Sequence, residues 1–383
     1  VTVTAPAGFE AAGIAAGIKR SGALDLALIV NRGPSNAAAA VFTSNRAKAN
    51  PILWSEQAIA DGQVAAIVLN SGGANCFTGP AGFQVTHGTA EAAAGALGVS
   101  SGDVLVCSTG LIGEQLDGEV LEEGVLSAAN RLSTDGGPDA ARAIMTTDTR
   151  PKTVVVEGDG WRLGGIAKGA GMLAPGLATM LVVLTTDADV ASDALDHALR
   201  AATRVTFDRL DSDGCMSTND QVTLLASGAS GVVPEPAEFA AAVTEACQSL
   251  AQQLQEDAEG ASHDIAIEVR GAVTEDDAVE VGRSVARNNL FKAAIFGNDP
   301  NWGRVLAAIG TTQAPFDPYL VDVSMNGVRV CHAGRPDAPR EQVDLSPRAT
   351  HVLVELHAGE ASATILTNDL THDYVHENSA YAS

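Results

Sequence analysis

Lys168-Gly-Ala-Gly-Met-Leu-Ala-Pro-Gly-Leu-Ala-Thr179-Met-Leu-Val-Val-Leu-Thr-Thr-Asp187 is the stretch that decides how this 383-residue chain is read. A Gly-rich loop carrying one Lys runs into Ala178-Thr179. An apolar, β-branched run follows at once, the signature of a buried strand. That order suits a chain that cuts itself before Thr179. The hydroxyl attacks the preceding carbonyl, the amide becomes an ester, and water releases a new N-terminal Thr carrying nucleophile and base on one residue. A Thr hydroxyl needs such a base, and an α-amine, with a reference pKa of about 7.7–8.0, is better matched to neutral pH than a Lys at about 10.4. Gly169, Gly171 and Gly176 permit a strained approach to the nucleophile, and Pro175 stiffens it. The same letters also fit an ordinary Gly-Pro loop before a strand that begins with Thr.

Outward from this stretch the chain alternates strand-like and helix-like segments. Before it, strands are expected at 23–30, 37–42, 64–70 and 103–107, with helices at 83–97 and 116–132 and a hairpin of 153–157 with 161–166. After it the pattern restarts with a strand at 180–185, a helix at 191–204 and a strand at 221–226. A Gly/Pro/Ser linker spans 228–236. The clearest helix is 237–257, where Phe239, Val243, Cys247, Leu250 and Leu254 recur at helical spacing. A strand at 265–269, a helix at 278–291 and a loop at 299–304 lead into a mainly β part at 319–325, 328–331, 351–356 and 362–367.

Charge and cysteines narrow the function classes. Lys and Arg number 23 against 47 Asp and Glu, a net charge of −24, which repels phosphate backbones and anionic membranes. Neither nucleic acid nor membrane is an expected partner. Five widely spaced cysteines, an odd number without C-x-x-C, suit a reducing compartment and no zinc site. The opening residues from Val1 to Phe9 lack a basic, then apolar, leader pattern. No apolar run reaches the roughly 20 residues of a membrane helix. A cytoplasmic location is the expectation.

Other segments can carry chemistry. Ser108-Thr109-Gly110 ends a strand in a turn that can aim an N–H and a hydroxyl at one oxyanion; an ordinary Gly turn fits as well. Asn70-Ser-Gly-Gly-Ala-Asn75 lacks the nucleotide-phosphate fingerprints and reads as a packed loop. Met145-Thr-Thr147-Asp148 is either a substrate contact or a solvated helix end. Lys168 suits a substrate carboxylate or developing negative charge. The acid-rich segment 207–220 does not match calcium-loop spacing and reads as a polar loop near the site. Glu259 is read as capping the 237–257 helix, where a carboxylate opposes the macrodipole and so hints at function. The last residues, with Asn378 and Ser383, read locally as a frayed end.

Taken in register, these segments resemble the ornithine acetyltransferases, or glutamate N-acetyltransferases, of arginine biosynthesis. The marks are Asn70 to Asn75, Ser108 to Gly113, Met145 to Asp148, Ala167 to Met172, Leu177 to Leu181, Asn298-Asp-Pro-Asn-Trp-Gly-Arg304 and Glu377-Asn-Ser-Ala-Tyr381, spread over nearly the whole chain. The resemblance implies an α/β (α+β) fold, an αββα sandwich of the self-processing N-terminal-nucleophile type with a smaller C-terminal β/α part. It implies cleavage between Ala178 and Thr179 into an α-chain of 1–178 and a β-chain of 179–383, assembled as an α2β2 heterotetramer. Thr109 and Gly110 match the oxyanion hole. Thr147, Lys168, Thr179, Glu259, Asn378 and Ser383 match substrate-binding positions, so the chain end is expected to be ordered in the site. Asn289 departs from the small hydroxyl residue expected before Leu290-Phe-Lys292, away from the named set.

The implied reaction is ping-pong transfer of acetyl from N2-acetylornithine to glutamate through an acetyl-Thr179 ester. No cofactor or metal is expected, and acetyl-CoA is left open as a co-substrate. An amidase or aminopeptidase on the same scaffold is the alternative, and an uncleaved binding protein is the third reading.

Overall fold

The structure is a computed structural model and describes residues 2–174 and 180–380. The expected scissile pair Ala178-Thr179 and the terminal Ser383 lie outside the described residues.

Two sheets stack to form the centre. The first has the order β1 (Phe9–Ile14), β2 (Leu26–Asn31), β4 (Ala66–Ser71), β5 (Val104–Thr109), antiparallel except for the parallel β4–β5 pair. The second has the order β3 (Ala38–Phe42), β9 (Gln221–Ala226), β8 (Leu181–Thr186), β7 (Arg162–Lys168), β6 (Lys152–Glu157), with β8–β9 its parallel pair. Strands β2, β4, β5, β8 and β9 are buried along their whole length, because each is covered on both faces. One face meets the other sheet, where Ile29, Ile67 and Leu105 pack with Ile166, Val183 and Leu225. This is why their sequences read as continuous apolar runs rather than alternating ones.

Helices cover the outer faces. α1 (Asn50–Ala58), α2 (Gly79–Leu97) and α3 (Gly118–Ala129) lie on the first sheet, where Ala90, Ala93, Leu121 and Val125 meet Leu28, Val68 and Val106. α5 (Ser192–Val205) and α6 (Pro236–Glu256) lie on the second, where Leu195, Leu199, Val243 and Leu250 meet Val182, Leu184 and Leu224. The layer order is therefore αββα, as expected. α4 (Gly137–Ala143) is tucked against β1, with Ala140 and Ala141 in the inter-sheet core.

A third sheet follows, in the order β13 (Arg335–Pro336), β12 (Val328–His332), β11 (Asp322–Met325), β14 (Ala349–Glu355), β10 (Asp264–Ala272), β15 (Ala361–Asn368). It shares a separate core with α7 (Glu275–Ala286), α8 (Asn289–Phe296) and α9 (Trp302–Ile309). α10 (His372–Ala380) then runs back beside residue 260, where Gly260 is needed: a Cβ there would sit 2.2 Å from the Tyr374 backbone nitrogen. The break between the two cores thus falls near the start of β10. In sequence, positions 178 and 179 lie between β7 and β8, which are directly paired.

Several sequence expectations change. The helix expected over 278–291 is two helices, because Asn288 caps α8 with its side chain on the Phe291 N–H. The loop expected over 299–304 is helical from Trp302 onward. α6 ends at Glu256 with Asp257 as its C-cap, so Glu259 lies beyond the helix and does not cap it. β1 and α1 were not anticipated; α1 opens on Asn50-Pro51, and β1 carries small residues without marked alternation. Among the described residues no helix is long and apolar enough to cross a membrane.

The amino-terminal segment is pinned across β7. Thr185 Oγ1 donates to the Val3 carbonyl at 2.8 Å, and a Cβ on Gly164 would lie 2.2 Å from the Thr2 carbonyl oxygen. Gly164→Ala must displace that backbone and should cost about 1–3 kcal/mol, the range for overpacking. A urea titration with an unchanged midpoint would show that the segment moves aside freely.

Candidate active site

The site forms where the ends of the two stacked sheets meet. β5 stops at Thr109, so the Gly110 amide lies past the last rung of the β4–β5 ladder. The loop after β4 folds back onto this end: the N–H groups of Gly72 and Gly73 donate to the Thr109 carbonyl at 2.9 and 3.0 Å. The approach is too close for a side chain. A Cβ on Gly110, which has φ +133°, would sit 2.5 Å from the Gly73 nitrogen. The Gly-rich loop is therefore a packing element that shapes the turn, as its sequence suggested.

Lys168 reaches this turn from the second sheet. It is the last residue of β7, pairs with Leu181 of β8, and is 1% exposed. Its Nζ donates to Thr109 Oγ1 at 3.2 Å. With that lone pair taken, the Thr109 O–H is left to donate elsewhere. Asn219 makes a second tie between the sheets, donating from Nδ2 to the carbonyls of Ala74 and Ser108 at 2.6 and 2.8 Å. Its neighbour Asp220 accepts the Met180 N–H at 3.0 Å and so fixes the residue after Thr179.

A buried charge cluster supports Lys168 from behind. Lys152 Nζ lies 2.6 Å from both Asp148 Oδ1 and Asp257 Oδ2, with Lys152 and Asp148 fully buried. Asp148 also accepts the N–H groups of Gly169 and Thr146 at 2.7 and 3.0 Å. Burial pushes the Asp148 carboxyl up, but Lys168 and Lys152 outweigh it and hold it below the usual carboxylate range. Burial pulls the Lys168 ammonium below an ordinary lysine, against the opposing pull of Asp148. Burial alone sets the direction for Asp220, whose carboxyl is pushed well above its usual range.

Thr146 is thereby fixed, and Thr147 beside it donates from Oγ1 to Glu259 Oε1 at 2.7 Å. Asn378 of α10 donates to Glu259 Oε2 at 2.9 Å. The Glu259 N–H donates to the Ala170 carbonyl at 2.9 Å, and a Cβ on Gly171 would sit 2.5 Å from its carboxylate. Thr147, Glu259 and Asn378 open onto a cleft of about 870 Å³, also lined by Phe296, Arg348 and His376. Among the described residues no His/Cys/Asp/Glu group is arranged to hold a metal.

The structure thus links Thr109 to Lys168, and Thr147 and Asn378 to Glu259. Thr179 and Ser383 fall outside the described residues. Sequence reading missed Lys152, whose only signal was a lysine opening a Val-rich strand, and did not single out Asn219 and Asp220 within the polar segment 207–220. Asn289 is nearer the site than expected, lining a small cavity together with Glu259.

The family model described as ArgJ matches residues 10–383. The chain belongs to the ArgJ family. An arginine biosynthesis bifunctional protein ArgJ from Streptomyces coelicolor is 64% identical over 383 residues, covering all of both chains. One of the same name from Mycobacterium tuberculosis is 54% identical over 389 residues, covering all of this chain and 96% of that one. A crystal structure of ornithine acetyltransferase complexed with ornithine from Mycobacterium tuberculosis aligns with a TM-score of 0.45 at 54% identity, covering 47% of this chain and 96% of that chain. Within this ArgJ chain the buried cluster is a structural requirement of the site. Lys152→Met leaves two buried carboxylates without their cation and should destabilise by about 3–5 kcal/mol. Asp148 titrates lower in the folded chain than in the unfolded one, so its contribution is full above the ordinary carboxylate pKa and is lost as pH falls through the depressed value. Urea titrations of wild type and variant should therefore converge at acid pH; a gap that persists there would assign the loss to packing instead.

Proposed function

We propose that this acyltransferase of arginine biosynthesis cuts itself between Ala178 and Thr179 and then moves acetyl from N2-acetylornithine to glutamate by a ping-pong route. The observation that carries the reading is the buried Lys168–Thr109 contact at the start of β8. It brings a hydroxyl and a cation to the strand end next to the sequence position of the nucleophile.

Thr179 Oγ1 attacks the N-acetyl carbonyl, with the freed α-amine taking its proton. The Thr109 hydroxyl and the Gly110 N–H donate to the oxyanion that forms. The α-amine returns the proton to the leaving nitrogen, ornithine departs, and acetyl remains on Thr179 as an ester. The amine of glutamate attacks that ester, its proton passes by way of the α-amine to Thr179 Oγ1 as the ester C–O bond breaks, and N-acetylglutamate leaves with the Thr179 hydroxyl restored. Thr147, Lys168, Glu259, Asn378 and Ser383 hold the amino acid, with Lys168 on a carboxylate. Glu259 is suited to the ornithine ammonium. The names carried by the relatives favour transfer over the amidase alternative.

Cleavage would place β6 and β7 on the α-chain and β8 and β9 on the β-chain, within one hydrogen-bonded sheet. We read the assembly as α2β2 on the resemblance, and its location as cytoplasmic on the odd, widely spaced cysteines. The reaction calls for no cofactor. Acetyl-CoA as a second donor to Thr179 is tested by CoA release with glutamate in the absence of acetylornithine.

Denatured intact mass should give two species, 1–178 and 179–383, from wild type and one from Thr179→Ala, which should also lose transfer. Wild-type exchange by the uncut variant would sink the mechanism. Thr109→Ala should cost about 10²–10³ in kcat, as for other oxyanion donors. Because charged Lys168 is the binding form, transfer should fall on the alkaline side at a pH below the ordinary lysine value of about 10.4. A pH profile that stays flat to that value would remove Lys168 from carboxylate binding.

A further inference from the structure

Lys292 takes no part in the reaction as described, yet it is a buried cation beside a cavity. It lies in α8 at 5% exposure, and its ammonium donates to the Ser212 carbonyl oxygen. Among the described residues it forms no ion pair. Asp213, Asp211 and Asp369 act on it without an ion-pair contact, and each has at least one oxygen held by another donor. Asp213 accepts the N–H groups of Met172 and Cys215, Asp211 accepts from Arg287, and Asp369 accepts from His263. A buried ammonium without a partner carboxylate is costly, and it still has N–H groups to offer.

The space it faces is suited to a partner. A cavity of about 210 Å³ is lined by Lys292 with Ser212, Asp213, Asn289, Asp369 and Tyr374, and Glu259 lines both this cavity and the main cleft. The Asp213 carboxylate is taken up by the N–H groups of Met172 and Cys215 and that of Asp369 by Ser262 and His263, which leaves the Lys292 ammonium as the group with donors to spare. Asn289 stands three residues before Lys292 on α8, on the same face of the helix. Its amide adds further donors where a hydroxyl residue was expected.

The proposed substrates pose a charge problem that this arrangement answers. Donor and acceptor visit the same Thr179, but ornithine carries a side-chain ammonium and glutamate a side-chain carboxylate. Glu259 suits the first and repels the second. We infer that the cavity beside Glu259 receives the side-chain carboxylate of the acceptor amino acid on the Lys292 ammonium, making Lys292 the residue that selects an acidic acceptor. The donor ammonium stays on Glu259. The inference rests on the acetyl-transfer reading above.

The test compares glutamate with glutamine as acceptor, with acetylornithine as donor, in wild type, Lys292→Gln and Asn289→Asp. Wild type should prefer glutamate. Lys292→Gln should raise the glutamate KM by about 10–100-fold, the worth of one charged hydrogen bond, and erase the preference over glutamine. The loss should fall on the glutamate step at least ten-fold more heavily than on ornithine release. Asn289→Asp puts a carboxylate at an exposed first-turn position, which helices favour, and should raise the glutamate KM several-fold by repulsion. It decides the matter alone if Lys292→Gln fails to fold. Folded variants that keep the wild-type preference overturn this inference while leaving acetyl transfer intact. A wild type that makes no acetylglutamate overturns the transfer reading, and this inference with it.

Discussion

Asp148 is the group on which the rest of the site depends. One buried carboxylate takes the Lys152 ammonium, the Gly169 amide and the Thr146 amide. Charges in such a place are tolerated only when their partners arrive with them. The loop before β6, the first residue of β6 and the turn after β7 must therefore be in place together, and Asp257 brings the end of α6 into the same group. Lys168 and Thr147 each sit next to an anchored residue, so their positions follow from the cluster even though neither side chain belongs to it.

The two sheets are held in register at the site by polar ties, while their centres are held by apolar packing. Asn219 and Lys168 both cross from the second sheet to the end of β5. Apolar contact is non-directional and tolerates small slips. Hydrogen bonds between buried groups do not, because a slip leaves a donor without an acceptor. The polar ties thus set the relation between the Thr109 turn and the start of β8 more sharply than the core alone would.

Much of the fold was legible in the sequence because buried strands and amphipathic helices leave strong patterns. The runs at β4, β8 and β9 and the stripe along α6 are of this kind. What escaped has local causes. The 278–291 segment keeps its apolar spacing across the break, so only the cap at Asn288 betrays two helices. β1 leaves no such pattern, because its Ala and Gly residues give little contrast between faces. For the site, the Gly-rich turns and the Lys168 loop could be named, but Lys152 could not. Its partners are Asp148, four residues before it in the loop that leads into β6, and Asp257, over a hundred residues away, and nothing in a sequence marks a lysine as buried until its carboxylates are found. Glu259 does not have the capping role that its sequence position suggests. Its importance comes from the contacts with Thr147 and Asn378.

The direct pairing of β7 with β8 has a further consequence under the proposed chemistry. The Thr109 turn comes from a segment far from Lys168 in sequence, and the two meet only once both sheets have formed. An unfolded or half-folded chain would lack them and would remain inert. Scission would then act as a latch that only a correctly built molecule can trip. The reactive amine would be released only in a finished fold, and misassembled copies would stay as silent precursors.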